Sequence, residues 1–443
     1  MQGQGGDWIA KGAKSRERRE KIMKPKWILL IAAISTAACT ATPDEPTPTP
    51  AAEQVDLIAA DFERILEPAV SDDTIRSLGE GLQAFAFDFY NRMPVDENLI
   101  FSPFSIAQAF SMLYAGARGE TAGEIAAVFG FLPQADQHPA FNWLDQLVNN
   151  QATNPDDESE PFTLNIANSA WTQQGFPIET AFLETLARHY GAGIYPTDFA
   201  ADPDAAAKRI NAWVSDETED RIPELLAPDF VKLTTRLVLA NAIYFKGLWQ
   251  HPFLPSLTAQ ADFTLLDGTT VPADRMHTSA NYWFSVTDTY QAVRLHYRNS
   301  TTGMLVIVPD EGEFRAVEEE LSPAFLAGIP FQTGKIDLSL PRWEFGTIAD
   351  LVEILPAMGM PLVFSSEADL GGIAPGLFVG EAVHQANITV NEAGTEAAAA
   401  TAIALEVSEP EAAIVIDRPF IFIIQDFETG AILFLGRVLN PEN

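Results

Sequence analysis

The chain has 443 residues, 47% of them hydrophobic, and a formal net charge of −34. That hydrophobic share excludes a disordered chain and allows one large mixed domain or two to three smaller ones. The acidity excludes the basic footprint of a nucleic-acid binder, opposes adsorption to anionic lipid heads, and suits a soluble exported protein.

Residues 1–22 read as an extension upstream of the true start. From Met23 the chain reads MKPKWILLIAAISTAAC: two lysines, an apolar run too short to span a membrane stably, then small residues. Residues 23–38 are therefore the expected secretion signal. Small residues directly before Cys39 resemble the lipobox of bacterial lipoproteins, in which the Cys is lipidated after cleavage. Thr36 departs from that pattern, where Leu is usual. The other reading is ordinary cleavage near Ala37 or Ala38 and free secretion. Cys39 is the only cysteine, which excludes an internal disulfide and a Cys-rich metal site. Residues 39–70, rich in Pro, Thr and Ala at their start, read as an extended tether. The folded body, 71–443, is expected to begin near Ser71.

Helical spacing of Ile75, Leu78, Leu82, Phe85 and Phe89 predicts a helix over Thr74–Met93. ENLIFSPFSIAQAFSMLYAGARGETAGEIAAVFGF reads as a short strand, a turn at Pro103, and two helices split near Gly116–Gly119. Further helices are predicted over Asp136–Asn149, Glu179–Tyr190 and Pro203–Ser215, with an alternating strand over Phe162–Trp171. From Thr234 the chain turns β-rich: TTRLVLANAIYFKGLW, ADFTLLDGTTV with a hairpin signal at Asp267-Gly268, YQAVRLHY, GMLVIVPD and KIDLSLPRWEF. Ile348–Leu355 reads as a short helix stopped near Pro356. AAIVIDRPFIFIIQD and GAILFLGRVLN read as two apolar strands around a turn at Glu428–Gly430. Helices dominate the first half and strands the second, which predicts α+β with large mixed sheets.

One stretch fits none of this. Asn391–Val407, NEAGTEAAAATAIALEV, joins an acidic pair at Glu392 and Glu396, one Gly and a run of very small side chains. It reads as an Ala-rich helix, as a linker, or as a segment exposed now that must later enter a tight space.

Catalytic patterns are missing. No His-Glu-x-x-His helix, Gly-x-Ser-x-Gly elbow, Ser-x-x-Lys pair or phosphate-binding Gly loop occurs. The six histidines are scattered, with no metal-ligand spacing. No enzyme activity, cofactor or metal is implied.

Taken together, ENLIFSPFSIAQAFSMLYAGARGETAGEI, INAWV, NAIYFKGLWQHPF, MLVIVPDEG, MGM with VFSSEADLGGI, VHQANITVNEAGTEAAAATA and DRPFIFII resemble the serpin family, in serpin order, over most of residues 74–443. The resemblance implies three β-sheets, eight or nine helices, a five-stranded central sheet and an exposed reactive loop. A protease attacks that loop and forms an acyl-enzyme; the cut loop then inserts as an extra central strand and drags the protease with it.

The small-residue run then makes sense. In a strand, Thr395, Ala397, Ala399 and Thr401 share one face, and Glu396, Ala398, Ala400 and Ala402 share the other. The first set is expected on the packed side, where a charge would cost roughly several kcal/mol. Gly394 is expected to supply an unusual backbone angle at the hinge. The resemblance further makes Glu392 the acidic residue of the loop base, Trp249 the tryptophan of the breach where the loop enters, and Ser102, Ser105, Asn241 and His384 the polar shutter beneath the sheet. Counting from the hinge puts the reactive bond at Val407–Ser408 or Ser408–Glu409. A small or apolar residue before the cut makes an elastase- or subtilisin-like serine protease the expected covalent partner of a monomeric, surface-anchored inhibitor. The lack of Lys and Arg from Glu392 to Asp417 excludes a trypsin-like target, and Glu406 and Glu409 leave a glutamate-preferring protease as an alternative. Alternatives are a non-inhibitory substrate, chaperone or binding protein with the same fold, an inhibitor of cysteine proteases, and a lipoprotein solute-binding protein.

Overall fold

The computed structural model describes residues 57–150, 163–298, 300–395 and 409–442. The expected signal, Cys39, Glu396–Thr401, Val407 and Ser408 lie outside these residues. In chain order the described elements begin with α1 (Asp72–Tyr90), β1 (Leu99–Phe101), α2 (Pro103–Tyr114), α3 (Gly119–Phe129), α4 (Gln134–Asn150), β2 (Thr163–Gln173), α5 (Thr180–Tyr190), β3 (Ile194–Thr197) and α6 (Pro203–Glu217). The β-rich part follows with β4 (Leu237–Leu248), β5 (Ala259–Thr264), β6 (Thr270–Val286), β7 (Tyr290–His296) and β8 (Thr302–Pro309). Then come α7 (Phe314–Glu320), α8 (Pro323–Gly328), β9 (Gln332–Pro341), β10 (Trp343–Asp350) and α9 (Leu351–Ala357). The chain closes with β11 (Glu381–Val390), β12 (Gly394–Thr395), β13 (Ala412–Val415), β14 (Phe420–Asp426) and β15 (Ile432–Val438).

Local chemistry explains the helix starts. Ser71 caps α1 by accepting from the Thr74 N–H, and Asp72 and Asp73 sit where the helix dipole favours negative charge. Ser102 caps α2, and Pro103 occupies its first turn, where a missing N–H costs nothing. All twelve residues of α2 are buried, so this helix is the central post of the fold rather than an amphipathic cover.

The central sheet runs β10-β11-β12-β4-β2-β3. It has five strands plus the two-residue β12. One face packs on the main core through Leu239, Ile243 and Phe245; the other packs Ala240 and Ala242 against Ile210 and Val214 of α6. Strands β4 and β11 run parallel and pair directly over Val238–Ile243 and Glu381–Ala386. The remaining nine strands form one hydrogen-bonded network. The expected second and third sheets are joined in it by β6, which pairs with β5 over Thr270–Arg275, with β9 over Arg275–Phe284 and with β7 over Trp283–Val286.

Two sequence expectations need correction. KIDLSLPRWEF is two strands in two sheets: the chain breaks at Arg342, whose N–H donates to the Asp274 carbonyl. The helix expected from Ile348 starts at Leu351, because Ile348–Asp350 still pair with β11; Asp350 caps it instead. Described residues before Ser71 also contact the body. Ile58 pairs with Ile194 on the outer edge of β3, and the Ile65 N–H donates to the Arg188 carbonyl.

A buried ion pair ties the ends of the body together. The Arg437 guanidinium on β15 is almost fully enclosed and donates to Glu318 of α7 at 3.0 Å and to the carbonyls of Glu97 and Pro94. Tyr90 on α1 donates to the same carboxylate at 2.7 Å. Removing one partner leaves a buried charge unpaired, so Glu318→Ala is expected to lower unfolding stability by about 3–5 kcal/mol, read from the denaturant midpoint.

Candidate functional site: hinge, breach and shutter

The hinge starts where β11 ends. Asn391 folds back on itself: its side-chain oxygen accepts from the Ala393 and Gly394 N–H groups at 2.9 and 3.3 Å, and its own N–H donates to the Gly394 carbonyl. This Asx turn sends the chain back antiparallel to β11. Gly394 and Thr395 then enter the sheet between β11 and β4, with Thr395 opposite Val390 and Gly247, and Gly394 opposite Leu248.

Gly394 is not in a left-handed conformation, which corrects the expected unusual angle. Its smallness serves a close approach: a Cβ would stand 2.0 Å from the Gly247 carbonyl oxygen. Gly247 is equally constrained, with the Tyr297 ring 2.7 Å from any Cβ it might carry. Two backbones cross here without side chains between them.

Glu392 is buried and held by three hydrogen bonds from two side chains. Arg342 donates through Nε at 3.0 Å and again through Nη2, and Thr258 donates from its hydroxyl. Burial pushes its carboxyl up, but the hydrogen bonds from Arg342 and Thr258 outweigh it and hold the group below the ordinary carboxylate range. The Glu392 and Ala393 carbonyls accept from the Phe253 and Trp249 N–H groups, both at 2.9 Å. Trp249 adds an indole donor to the Asn391 carbonyl at 3.1 Å and stacks on Tyr297 with ring centres 4.8 Å apart. The Tyr297 hydroxyl meets the Thr395 hydroxyl at 2.8 Å. Thr395 is thus 1% exposed, with its hydroxyl turned into the body.

Below, the structure brings Ser102, Ser105, Asn241 and His384 together. The Ser102 N–H donates to His384 Nε2 at 3.0 Å, so Nδ1 carries the ring proton and donates to the Asn241 side-chain oxygen. Asn241 in turn donates to the Ser105 carbonyl at 2.9 Å and hydroxyl at 2.6 Å. His384 and Asn241 are direct partners across the β11–β4 seam. Full burial pushes the imidazole down to about 3. Glu409 is exposed and lies just before Glu411, whose N–H donates to the Lys335 carbonyl at 2.7 Å.

Several participants were not anticipated from sequence. Asn168 of β2 stands opposite Asn241 and accepts from it. Its signal was a polar residue on the inward face of an alternating strand. Arg342, Thr258, Tyr297 and Gly247 carried no local signal; only the fold brings them to the hinge. Among the described residues no cluster of three or more His, Cys, Asp or Glu could hold a metal, and no helix is long and apolar enough to cross a membrane.

Comparison with known proteins decides the family. The family model "Serpin (serine protease inhibitor)" matches residues 80–441. The chain is a serpin. It is 36% identical over 372 residues to an uncharacterized serpin-like protein of Thermococcus kodakarensis, covering 82% of this chain and 85% of that one. It is 34% identical to leukocyte elastase inhibitor of Bos taurus, covering 78% and 93%. Uncleaved ovalbumin superposes with a TM-score of 0.74 at 28% identity, over 82% of this serpin and 100% of that chain.

Two outcomes follow from this geometry. A His that is neutral when folded, with its pKa depressed to about 3 from an ordinary 6.5, contributes stability that is full above pH 6.5 and is lost as pH falls toward 3. His384→Gln is expected to flatten the fall of stability between pH 6 and 4 by about one proton, or about 1.4 kcal/mol per pH unit, measured by denaturant unfolding across pH. His138, likewise pushed down to about 3 by burial, keeps the rest of the slope in that variant. In Gly394→Ala the new methyl cannot coexist with the Gly247 carbonyl, at an overpacking cost of about 1–3 kcal/mol. The Thr395 amide is then expected to exchange with deuterium about tenfold faster, with β14–β15 unchanged.

Proposed function

We propose that this serpin inhibits serine proteases outside the cell as a suicide substrate. The single observation that carries the reading is the register of β12. Carried forward antiparallel to both neighbours, it puts Thr401 opposite His384 on β11 and also opposite Asn241 on β4. Thr401 has the parity of Thr395, whose side chain is buried beneath the sheet. In the inserted form its hydroxyl therefore falls between the two shutter side chains and replaces their mutual hydrogen bond. Between Thr395 and Thr401 the inward positions are Ala397 and Ala399, which fill a new strand site without overpacking.

The chemistry begins at the reactive bond, Val407–Ser408 or Ser408–Glu409. The protease's serine oxygen attacks the carbonyl carbon as its proton passes to the protease's own general base, the peptide C–N bond breaks, and the nitrogen takes up that proton and leaves as the amine of the C-terminal fragment. The ester that remains joins the protease to the loop. Residues from Glu396 onward then extend β12, and the direct β11–β4 pairing is exchanged for two new ladders. The absence of Lys and Arg from Glu392 to Asp417, with Val407 or Ser408 before the cut, favours an elastase- or subtilisin-like target. Residues 23–38 act as the secretion signal, and Cys39 carries the lipid that holds the inhibitor at the outer cell surface, with the segment up to the folded unit as its tether.

Incubation with pancreatic elastase, and separately with subtilisin, tests this. The expected product is an SDS-resistant band at the summed mass, with a released C-terminal peptide beginning at Ser408 or Glu409. Thr401→Val, which cannot satisfy His384 and Asn241, is expected to shift the outcome from adduct toward simple cleavage, because the lost hydrogen bond weakens insertion by about 1 kcal/mol. Cleavage without adduct by both proteases, and without a gain in thermal stability, would favour a non-inhibitory role.

A further inference from the structure

Residues 57–70, at the start of the folded unit, form a strap. Ile58 and Ile194 exchange two backbone hydrogen bonds at the free edge of β3, at 2.8 and 2.9 Å. The Ile65 carbonyl accepts from Asn142 and Gln146 of α4 at 2.8 and 2.9 Å. Arg188 of α5 lies over the Phe62 ring, 4.0 Å from its centre. Between these contacts Arg64 reaches inward, donating to Asn142 at 2.9 Å and to the buried Asp145 carboxylate at 2.5 Å.

Asp145 is also the end of a side-chain chain that starts at the shutter. His384 donates to Asn241, Asn241 to Asn168, Asn168 to Gln108 at 2.8 Å, and Gln108 to Asp145 at 2.9 Å. Every donor along it points toward the carboxylate. Head-to-tail amides polarise one another, so the charge at the end strengthens each bond behind it. The chain crosses β11, β4, β2, α2 and α4 and terminates on the strap. Its Asn241–His384 link is the one that breaks when β4 and β11 part.

We propose that the strap is a clamp on the central sheet. Docked, Arg64 fixes Asp145, and Asp145 orients Gln108, Asn168 and Asn241 in the arrangement that closes the seam. Withdrawal of the strap, by a pull on the segment before it or by a partner that captures it, leaves the second Asp145 oxygen without Arg64, with only Gln108 and Asn149 still on the first, and lets the carboxylate turn toward water. A cavity of about 510 Å³ lined by Arg64, Gln108, Asp145 and Asn168 gives water that access. The seam then opens more readily. The inference rests on the reading that the β4–β11 seam opens to admit the loop.

Deuterium exchange on the full chain tests it, comparing wild type with Arg64→Gln, Arg64→Lys and the control Arg76→Gln, which breaks only an exposed pair with Asp73. Exchange in Val238–Ile243 and Glu381–Ala386 is expected to rise about fivefold in Arg64→Gln, the low end of ordinary coupling between sites. Arg64→Lys keeps the charge and should rise less, and β14–β15 and the control should stay at wild-type rates. Faster exchange confined to residues 57–70 and α4, with the seam unchanged, would overturn the clamp. So would an equal rise everywhere, which marks general destabilisation. Should Arg64→Gln not fold, the Arg64→Lys comparison is read by the same criteria. Failure of wild type to trap any protease would remove the inhibitory reading while leaving the exchange comparison decisive for the coupling.

Discussion

The seam between β4 and β11 is the constraint on which the molecule turns. Two strands far apart in sequence lie parallel and directly paired over six residues, with Asn241 and His384 bonded to each other beneath them. A sheet interior is ordinarily its most secure part. Here it is closed by a short ladder and polar side chains, which can change partners; an apolar contact of the same area could only be lost. His384 is held neutral by burial and in one tautomer by the Ser102 amide, so the seam is closed by direction as much as by proximity.

At the top of the seam the chain solves a different problem. A strand can start between two others only if its first residues occupy almost no space and its approach is rigid. Gly394 against Gly247 meets the first need, and the anchored turn from Asn391 to Ala393 meets the second. The Glu392–Arg342 pair sits at the break between β9 and β10, where the chain passes from one sheet to the other. The entry point is therefore tied to both sheets.

The sequence carried much of this, and its limits have physical causes. Long periodic segments such as Asp72–Tyr90 and Leu237–Leu248 declared themselves because burial of one face, or of a whole strand, writes a pattern that neighbours share. Ile348–Asp350 misled because a polar edge strand and the first turn of a helix look alike when only one face is covered; Ile348 is 59% exposed. The clustering of Ser102, Ser105, Asn241 and His384 was legible through the serpin resemblance, but the place of Asn168, Gln108 and Asp145 beside it was not. Each is an ordinary amide or acid in its own element, and only the crossing of β2, α2 and α4 makes them one chain. Residues 57–70 read as tether because Pro- and Thr-rich chain precedes them, yet Arg64 has a buried acid to reach and the edge of β3 has hydrogen bonds to fill.

That edge has a consequence at the level of populations. Exposed strand edges recruit strands from other copies. The two hydrogen bonds between Ile58 and Ile194 pair the Ile194 end of the β3 edge within the same chain. A strand from another copy that paired at Ile194 would first have to displace Ile58 from those two hydrogen bonds, so the chain guards that end of its central sheet with its own backbone.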